Sequence, residues 1–152
     1  KKQTDKKPYK KLIVSVGVIS FLLNFMWEVA QGFLYKGYQY HGEHISFCAL
    51  ASIADMLMVF ILLFGYGLIY KNIWWMVSFN ATKVWWLMLT GFAGAIIAEM
   101  AHTARGNWAY TESMPLIPWV NVGLSPVLQF TLLPLIIFML CIRILKVNKI
   151  NL

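Results

Sequence analysis

Two side chains able to do acid–base chemistry stand three residues apart in one of the most apolar parts of the chain. They are Glu99 and His102, in the sequence Glu-Met-Ala-His. Residues three apart on a helix share a face, so the carboxylate and the imidazole are expected to point into the same space. A pair of this kind can transfer protons or bind a metal ion, because both groups serve as general acids, general bases and metal ligands.

Three more polar side chains, Glu28, Asp55 and Gln129, lie in three other apolar segments. Counting about 1.5 Å per residue along each segment places them, with Glu99, roughly 5 to 15 Å below the same boundary. A charged Asp near the centre of a bilayer costs about 2.5 to 3.5 kcal/mol, so these carboxyl groups should face inward and be paired, protonated or metal-bound. The sequence therefore predicts one polar layer inside a bundle, with Glu28, Asp55, Glu99 and His102 as its catalytic candidates.

The elements that must position this layer are apolar and long. The chain has 152 residues, of which 60% are hydrophobic and 12% charged, against about 25% charged in soluble domains. Four apolar runs cover about residues 12–35, 45–70, 84–104 and 126–146, each long enough to cross a membrane as a helix. The expected fold is all-α: a single membrane domain built as a polytopic four-transmembrane-helix bundle.

The charge distribution predicts the orientation of this bundle. The formal net charge is +7, and eleven of the 13 Lys and Arg residues fall before the first run, between the second and third, or at and beyond the end of the fourth. Only Lys36 and Arg105 fall on the other side, which is the positive-inside pattern. It predicts cytoplasmic termini and a multi-pass protein of the bacterial inner membrane. The basic tail, residues 1–11, is expected to bind anionic lipid headgroups rather than nucleic acid.

Residue spacing within the runs predicts how they pack. Asn24, Glu28 and Gln31 share one face of the first run. In the third run, Gly91 and Ala95 lie on the face that carries Glu99 and His102, so small residues are followed by polar ones. This pattern favours close packing against a neighbouring helix beside a polar cavity, or a homodimer contact through the small residues.

Residues 105–124 interrupt the helical pattern. Pro115 and Pro118 break any helix there, and Ser125 followed by Pro126 is typical of an N-cap and a first helical turn. We expect a lid or re-entrant segment on the outer face, followed by a fourth span that Pro134 kinks.

Several functions are compatible with the polar layer. Glu28, Asp55, Glu99 and His102 could bind a di-metal centre of iron or manganese, or a single metal ion, with His41 or His44 from the first outer loop. The same carboxyl groups could carry out acid–base chemistry on a lipophilic, isoprenoid-like substrate, because an apolar cavity keeps a carboxylic acid protonated. A third possibility is an accessory or ligand-binding subunit of a larger membrane complex that holds a pigment, a quinone or a lipid. The simplest alternative is a layer that only holds the helices together by hydrogen bonds.

The expected ligand-binding residues flank the carboxyl groups. Aromatic rings could stabilise a carbocation, Arg105 could bind an anionic headgroup or pair with Glu99, and the amides could orient a ligand. These candidates are Asn24, Trp27, Gln31, Arg105, Trp108, Tyr110 and Gln129.

Five segments carry a resemblance to known proteins. They are Asn24-Phe25-Met26-Trp27-Glu28, Ala54-Asp55, Arg105-Gly106-Asn107-Trp108-Ala109-Tyr110, Met114-Pro115, and the run from Val122 to Gln129. Together they resemble a family of small bacterial four-helix membrane proteins, and this resemblance covers most of the chain and implies the fold but no reaction. The Trp-x-Tyr segment before a proline-started last helix is also similar to the lycopene cyclase type of carotenoid membrane domain. That type carries paired glutamates after its proline, where this chain has Val127, Leu128 and Gln129.

Overall fold

Four long apolar helices make up most of the chain. The computed structural model describes residues 9–39 and 42–145, with helices α1 (Tyr9–Gln31), α2 (Gly42–Ile69), α3 (Ala81–Ala104) and α4 (Leu124–Ile144). Each is long and apolar enough to cross a membrane, with a mean hydropathy between 1.5 and 2.5 in its most apolar window. The predicted all-α class with four candidate spans is confirmed. The basic tail up to residue 8 and the loop residue His41 lie outside the described residues.

The start of α4 differs from the sequence prediction. The helix begins at Leu124, and its N-cap is Gly123 rather than Ser125. A two-stranded hairpin, β1 (Leu116–Ile117) and β2 (Val122–Gly123), runs directly into the helix, and the backbone N–H of Leu124 donates to the carbonyl of Pro115 at 2.7 Å. Strand β2 ends at the N-cap of α4 and so fixes where the helix begins. Ser125 therefore does not cap the helix, and its side chain bonds a different partner.

The helices do not all pack against one another. Helix α1 packs along both α2 and α4, and α4 packs along α3, whereas α2 and α3 make little contact. The hydroxyl groups of Tyr66 on α2 and Thr90 on α3 are hydrogen-bonded at 2.6 Å. Toward their other ends, Asp55 of α2 and Glu99 of α3 line one cavity that lies between the helices.

The α2–α3 connection closes one end of the bundle. A short 3₁₀ helix (Trp75–Ser78) buries Trp74 and Trp75 completely. The indole N–H of Trp75 donates to the carbonyl of Leu63 at 3.1 Å, and its ring meets Phe138 edge-on at 5.4 Å. Trp74 and Trp75 thus belong to the core of the bundle, whereas Trp85 and Trp86 are exposed.

The small-residue face of α3 is used within the chain. A Cβ atom on Gly91 would overlap the carbonyl oxygen of Phe130 on α4, whereas a Cβ on Gly94 would meet nothing. Ala95, one turn further along, is buried in a cluster with Val122 and Val127. Of the two packing alternatives, contact with a neighbouring helix of the same chain therefore accounts for Gly91 and Ala95.

The opposite end of the bundle is covered by residues 105–123, which we call the roof segment. Tyr110 pairs with Tyr35 in an antiparallel bridge just after the 3₁₀ turn (Gly32–Leu34) that follows α1. The backbone N–H of Lys36 donates to Ala109 at 2.8 Å, and that of Thr111 donates to Leu34 at 2.9 Å. The predicted lid is thus held against the end of α1 by backbone hydrogen bonds.

Candidate functional site

A cavity of about 490 Å³ lies between the four helices beneath the roof segment. All four helices contribute to its lining, and most of the lining surface is apolar. Its walls include Phe47, Leu50, Ala51, Ala54, Pro126 and Phe130, and its polar lining includes Glu28, Gln31, Asp55, Glu99 and Gln129. The predicted polar layer therefore does surround one space.

Gln129 is the centre of the polar lining. Its side chain is 1% exposed, and its amide nitrogen lies 3.0 Å from Asn24 Oδ1, 3.0 Å from Glu28 Oε1 and 2.9 Å from Asp55 Oδ2. The amide oxygen of Gln129 accepts from Gln31 Nε2 at 3.1 Å. One residue of α4 thus joins polar side chains of α1 and α2.

The carboxyl groups of Glu28 and Asp55 lie close together around Gln129. Glu28 Oε1 is 3.0 Å and Asp55 Oδ2 is 2.9 Å from the same amide nitrogen. An amide NH₂ has two hydrogens, so Gln129 cannot give a separate one to each of its three acceptors. When two carboxyl groups share a site, the charge of one disfavours the charge of the other. A proton held between Glu28 and Asp55 would meet both constraints.

Gln31 continues the network toward the roof segment. Its Nε2 donates to Glu28 Oε1 at 2.9 Å, and its Oε1 accepts from the hydroxyl of Ser125 at 2.8 Å. Ser125 is the residue that the sequence predicted as an N-cap. Its place in the first turn of α4 lets it fix the amide orientation of Gln31, and through it the position of Glu28.

Glu99 forms a second, separate polar group in the cavity wall. Its side chain is 7% exposed, and its Oε2 accepts from the indole N–H of Trp108 at 3.1 Å and from the hydroxyl of Tyr110. Tyr35 lies against both aromatic rings, with centroid distances of 6.3 Å to Trp108 and 5.7 Å to Tyr110. The roof segment therefore contributes the donors that hold the α3 carboxyl group in place.

The environment of Glu99 raises the pKa of two neighbouring tyrosine hydroxyls, Tyr110 and Tyr35. Burial raises the pKa of Tyr110, and its hydrogen bond to Glu99 raises it further. Burial also raises the pKa of Tyr35, as do the nearby charges of Glu99 and Glu28. Both hydroxyls are consequently neutral throughout the physiological range, and that of Tyr110 donates to Glu99.

His102 does not point into the cavity with Glu99. Its Nδ1 lies 2.7 Å from the Asn107 amide nitrogen, and its ring stacks on Trp108 with a centroid distance of 4.3 Å. Glu99 and His102 both contact Trp108, as expected of side chains that share a helix face, but Glu99 borders the cavity and His102 does not. His102 therefore supports Trp108, which in turn bonds Glu99.

The proposed metal ligands form no compact set in the part of the chain that the structure describes. No three His, Cys, Asp or Glu side chains there come together as a group able to hold a metal ion. His44 does line the cavity, but its ring packs against Tyr38.

Only some of the remaining predicted ligand residues line the cavity. Trp108 lines the cavity, whereas Asn24 and Tyr110 lie behind its wall, bonded to Gln129 and Glu99 respectively. Trp27 lines a separate groove of about 400 Å³ beside Leu133. Arg105 is exposed at the C-cap of α3 and is not part of the cavity lining.

Several lining residues were not predicted from the sequence. Tyr35, Lys36, Cys48, Phe47 and Asn107 all border the cavity. Helical spacing offered a signal for two of them, because Tyr35 and Cys48 each stand seven residues from a cavity carboxyl group, Glu28 and Asp55 respectively. The others lie in loops or on the flank of α2, where periodicity carries no information.

No protein-family model, curated protein or solved structure matches this chain. Its function must therefore be inferred from the geometry of the site.

Proposed function

We propose that this protein is a multi-pass enzyme of the bacterial inner membrane, with both termini in the cytoplasm, that moves protons on an isoprenoid-like lipid. The observation that carries the proposal is the pair of carboxyl groups, Glu28 and Asp55, which both lie within 3.0 Å of one nitrogen of Gln129 and border a largely apolar cavity. Purely structural hydrogen bonding would be served by amides and hydroxyls, which cost less to bury than carboxyl groups. A carboxylic acid that keeps its proton in an apolar cavity is suited to donating that proton to a substrate.

The proposed reaction moves a carbon–carbon double bond. The acid of the Glu28–Asp55 pair gives its proton to one alkene carbon, the π electrons form the new C–H bond, and a carbocation remains on the neighbouring carbon. Glu99 takes a proton from the next carbon, whose C–H electrons become the shifted double bond. The atoms balance without an oxidant or a second substrate, and a proton returning from Glu99 to the pair through water resets the site.

The cavity has groups suited to each stage of this reaction. The rings of Trp108 and Tyr35 border it and can stabilise a carbocation through their faces. Gln129 holds the acid pair, and Trp108 and Tyr110 hold the base. The acid comes from α1 and α2 and the base from α3, so a substrate between them would meet both.

Deuterium transfer from solvent tests the proposal on the whole set of membrane lipids, so that no single substrate has to be chosen. Purified protein is placed in vesicles made from native membrane lipids and incubated in D₂O, and the isoprenoid lipids are analysed by mass spectrometry. We expect wild-type protein to introduce solvent deuterium into carbon positions of one lipid, and Glu28→Gln and Glu99→Gln to abolish this. Glu43→Gln, an exposed position at the start of α2, is the matched control. Incorporation that is absent from every lipid, or unchanged in both cavity variants, would contradict the proposal.

A non-catalytic ligand-binding role is the second candidate. It is favoured by the size and apolar lining of the cavity, which suit a pigment, a quinone or a lipid. In that case a lipophilic molecule would remain bound after purification and would also remain bound in Glu28→Gln, with no deuterium transfer by either protein. Loss of deuterium transfer in the variant while the ligand is retained would instead identify the carboxyl pair as catalytic.

A further inference from the structure

The cavity is bordered on one side by two helices that scarcely touch. Helices α1 and α2 pack closely, as do α3 and α4, but α2 and α3 make little contact. Their hydroxyl contact, between Tyr66 and Thr90, lies on the side of the cavity away from the roof segment. A gap therefore runs along the side of the bundle from the cavity to its outer surface.

The side chains along this gap are apolar and partly exposed. On α2 the gap-lining residues are Phe47, Leu50, Ala51 and Ala54, and Leu50 is 63% exposed although it borders the cavity. The exposed surface continues along α2 through Ile53, Leu57 and Ile61 without a charged residue. If the bundle lies in a membrane, as proposed above, this gap opens into lipid.

The cavity has a second opening, at the roof segment, and its border is polar. Lys36, Gly37 and Asn107 border the cavity at the roof segment, and all three are exposed. A cation, a glycine and an amide suit water or the polar end of a ligand rather than a hydrocarbon chain. The gap between α2 and α3 thus suits apolar molecules, and the opening at the roof segment suits polar ones.

We propose that an amphipathic lipid reaches the cavity from within the bilayer through the gap between α2 and α3, with its hydrocarbon chain over Ala51 and Ala54 and its polar end toward Lys36 and Asn107. This inference rests on the proposed membrane location and defines the substrate class of the same cavity. The small side chains of Ala51 and Ala54 leave room for the chain, and residue 54 thereby limits the width of the lipid that the cavity accepts.

A single cysteine in the cavity wall can report on both openings. In a protein carrying Cys48→Ala and Cys141→Ala, Ala51→Cys places one thiol on the gap-lining face. Modification is measured by mass spectrometry in vesicles of phosphatidylethanolamine and phosphatidylglycerol with two maleimides: one with a long alkyl chain that partitions into the bilayer, and one sulfonated and confined to water. Labelling after denaturation confirms that the thiol is intact.

Ala54→Trp should close the gap. We expect it to slow labelling by the alkyl maleimide by about tenfold, because a side chain that fills a packed opening excludes a chain of similar width, and to leave labelling by the sulfonated maleimide unchanged within about twofold. Ala93→Trp, at an exposed alanine of α3 outside the cavity lining, is the matched control and should slow neither reagent.

Three results would overturn the inference: equal slowing of both reagents, no slowing of the alkyl reagent, or failure of the alkyl reagent to label the folded protein. Circular dichroism and gel filtration identify a variant that has failed to fold. In that event Ala54→Leu, which narrows the gap with a smaller side chain, should give the same selective slowing. Because the readout is thiol modification, failure here leaves the deuterium test of acid–base chemistry untouched, and failure of that test leaves this one valid.

Discussion

At the scale of residues, the side chain of Gln129 joins the helices through more hydrogen bonds than any carboxyl group does. Its amide contacts Asn24, Glu28, Gln31 and Asp55, so one side chain of α4 fixes polar groups on two other helices. The depth of Gln129 in the polar layer was predictable from the sequence, because helical rise gives depth directly. Its central role could not be predicted, since depth does not say which atoms meet.

Replacing Gln129 with leucine should destabilise the protein substantially. The variant keeps the volume but removes the Gln129 donor from buried Asn24 and from half-buried Glu28 and Asp55, which costs about 2 to 4 kcal/mol of unfolding free energy in total. Leu128→Met, at the exposed neighbouring position, should cost less than about 0.5 kcal/mol. Reversible denaturant unfolding in mixed micelles measures both, and equal stability of the two variants would show that the network contributes nothing.

Tyr110 should make the stability of the protein fall at high pH. Burial and the bond to Glu99 raise the pKa of the folded-state hydroxyl above its ordinary value, which is about 10. The unfolded chain therefore loses this proton first, and the stabilisation is complete below about pH 10 and lost as the pH rises through the folded-state pKa.

The measurement is unfolding free energy against pH for wild type, Tyr110→Phe and the exposed control Tyr9→Phe. The decline above about pH 10 should be shallower in Tyr110→Phe, because that variant has no hydroxyl to ionise, and Tyr9→Phe should follow wild type. An equally steep decline in Tyr110→Phe would mean that the Tyr110 proton is not linked to folding.

At the scale of elements, the positions of the helices were predictable and their neighbours were not. Long apolar runs indicate where helices lie, and each of the four helices overlaps its predicted run, with ends that differ by a few residues. The order of packing depends on side-chain shape across the bundle, which a single periodic pattern does not specify. The gap between α2 and α3, and the stacking of His102 on Trp108 outside the cavity lining, both belong to this unpredicted part.

Two glycines on α3 offer a test of the helix contact. Gly91→Ala should lower the unfolding free energy by about 1 to 3 kcal/mol, because the added methyl group meets the backbone of Phe130, which cannot move aside as a side chain can. Gly94→Ala faces open space and should be neutral or slightly stabilising, since alanine favours helix over glycine by about 1 kcal/mol. A larger loss in Gly94→Ala than in Gly91→Ala would contradict the α3–α4 packing.

At the scale of the whole molecule, the proposed orientation gives the two ends of the bundle different environments. Glu112 in the roof segment and Asn72 in the α2–α3 connection are both exposed. A cysteine introduced at position 112 should react with a membrane-impermeant maleimide in spheroplasts, whereas one at position 72 should react only after the membrane is permeabilised. The reverse pattern would show that the positive-inside distribution misassigns the orientation.

The proton shared by Glu28 and Asp55 is the central requirement of the proposed function, and infrared spectroscopy detects it directly. Protein labelled with ¹³C in its Asp and Glu carboxyl groups should show, at neutral pH, the carbonyl stretch of a protonated carboxylic acid, which shifts on isotope labelling. The band should disappear in Asp55→Asn and in Glu28→Gln, because the remaining carboxyl group then accepts from an amide and no longer needs the proton. A wild-type spectrum with only ionised carboxylates, or a band that survives both substitutions, would contradict the central claim.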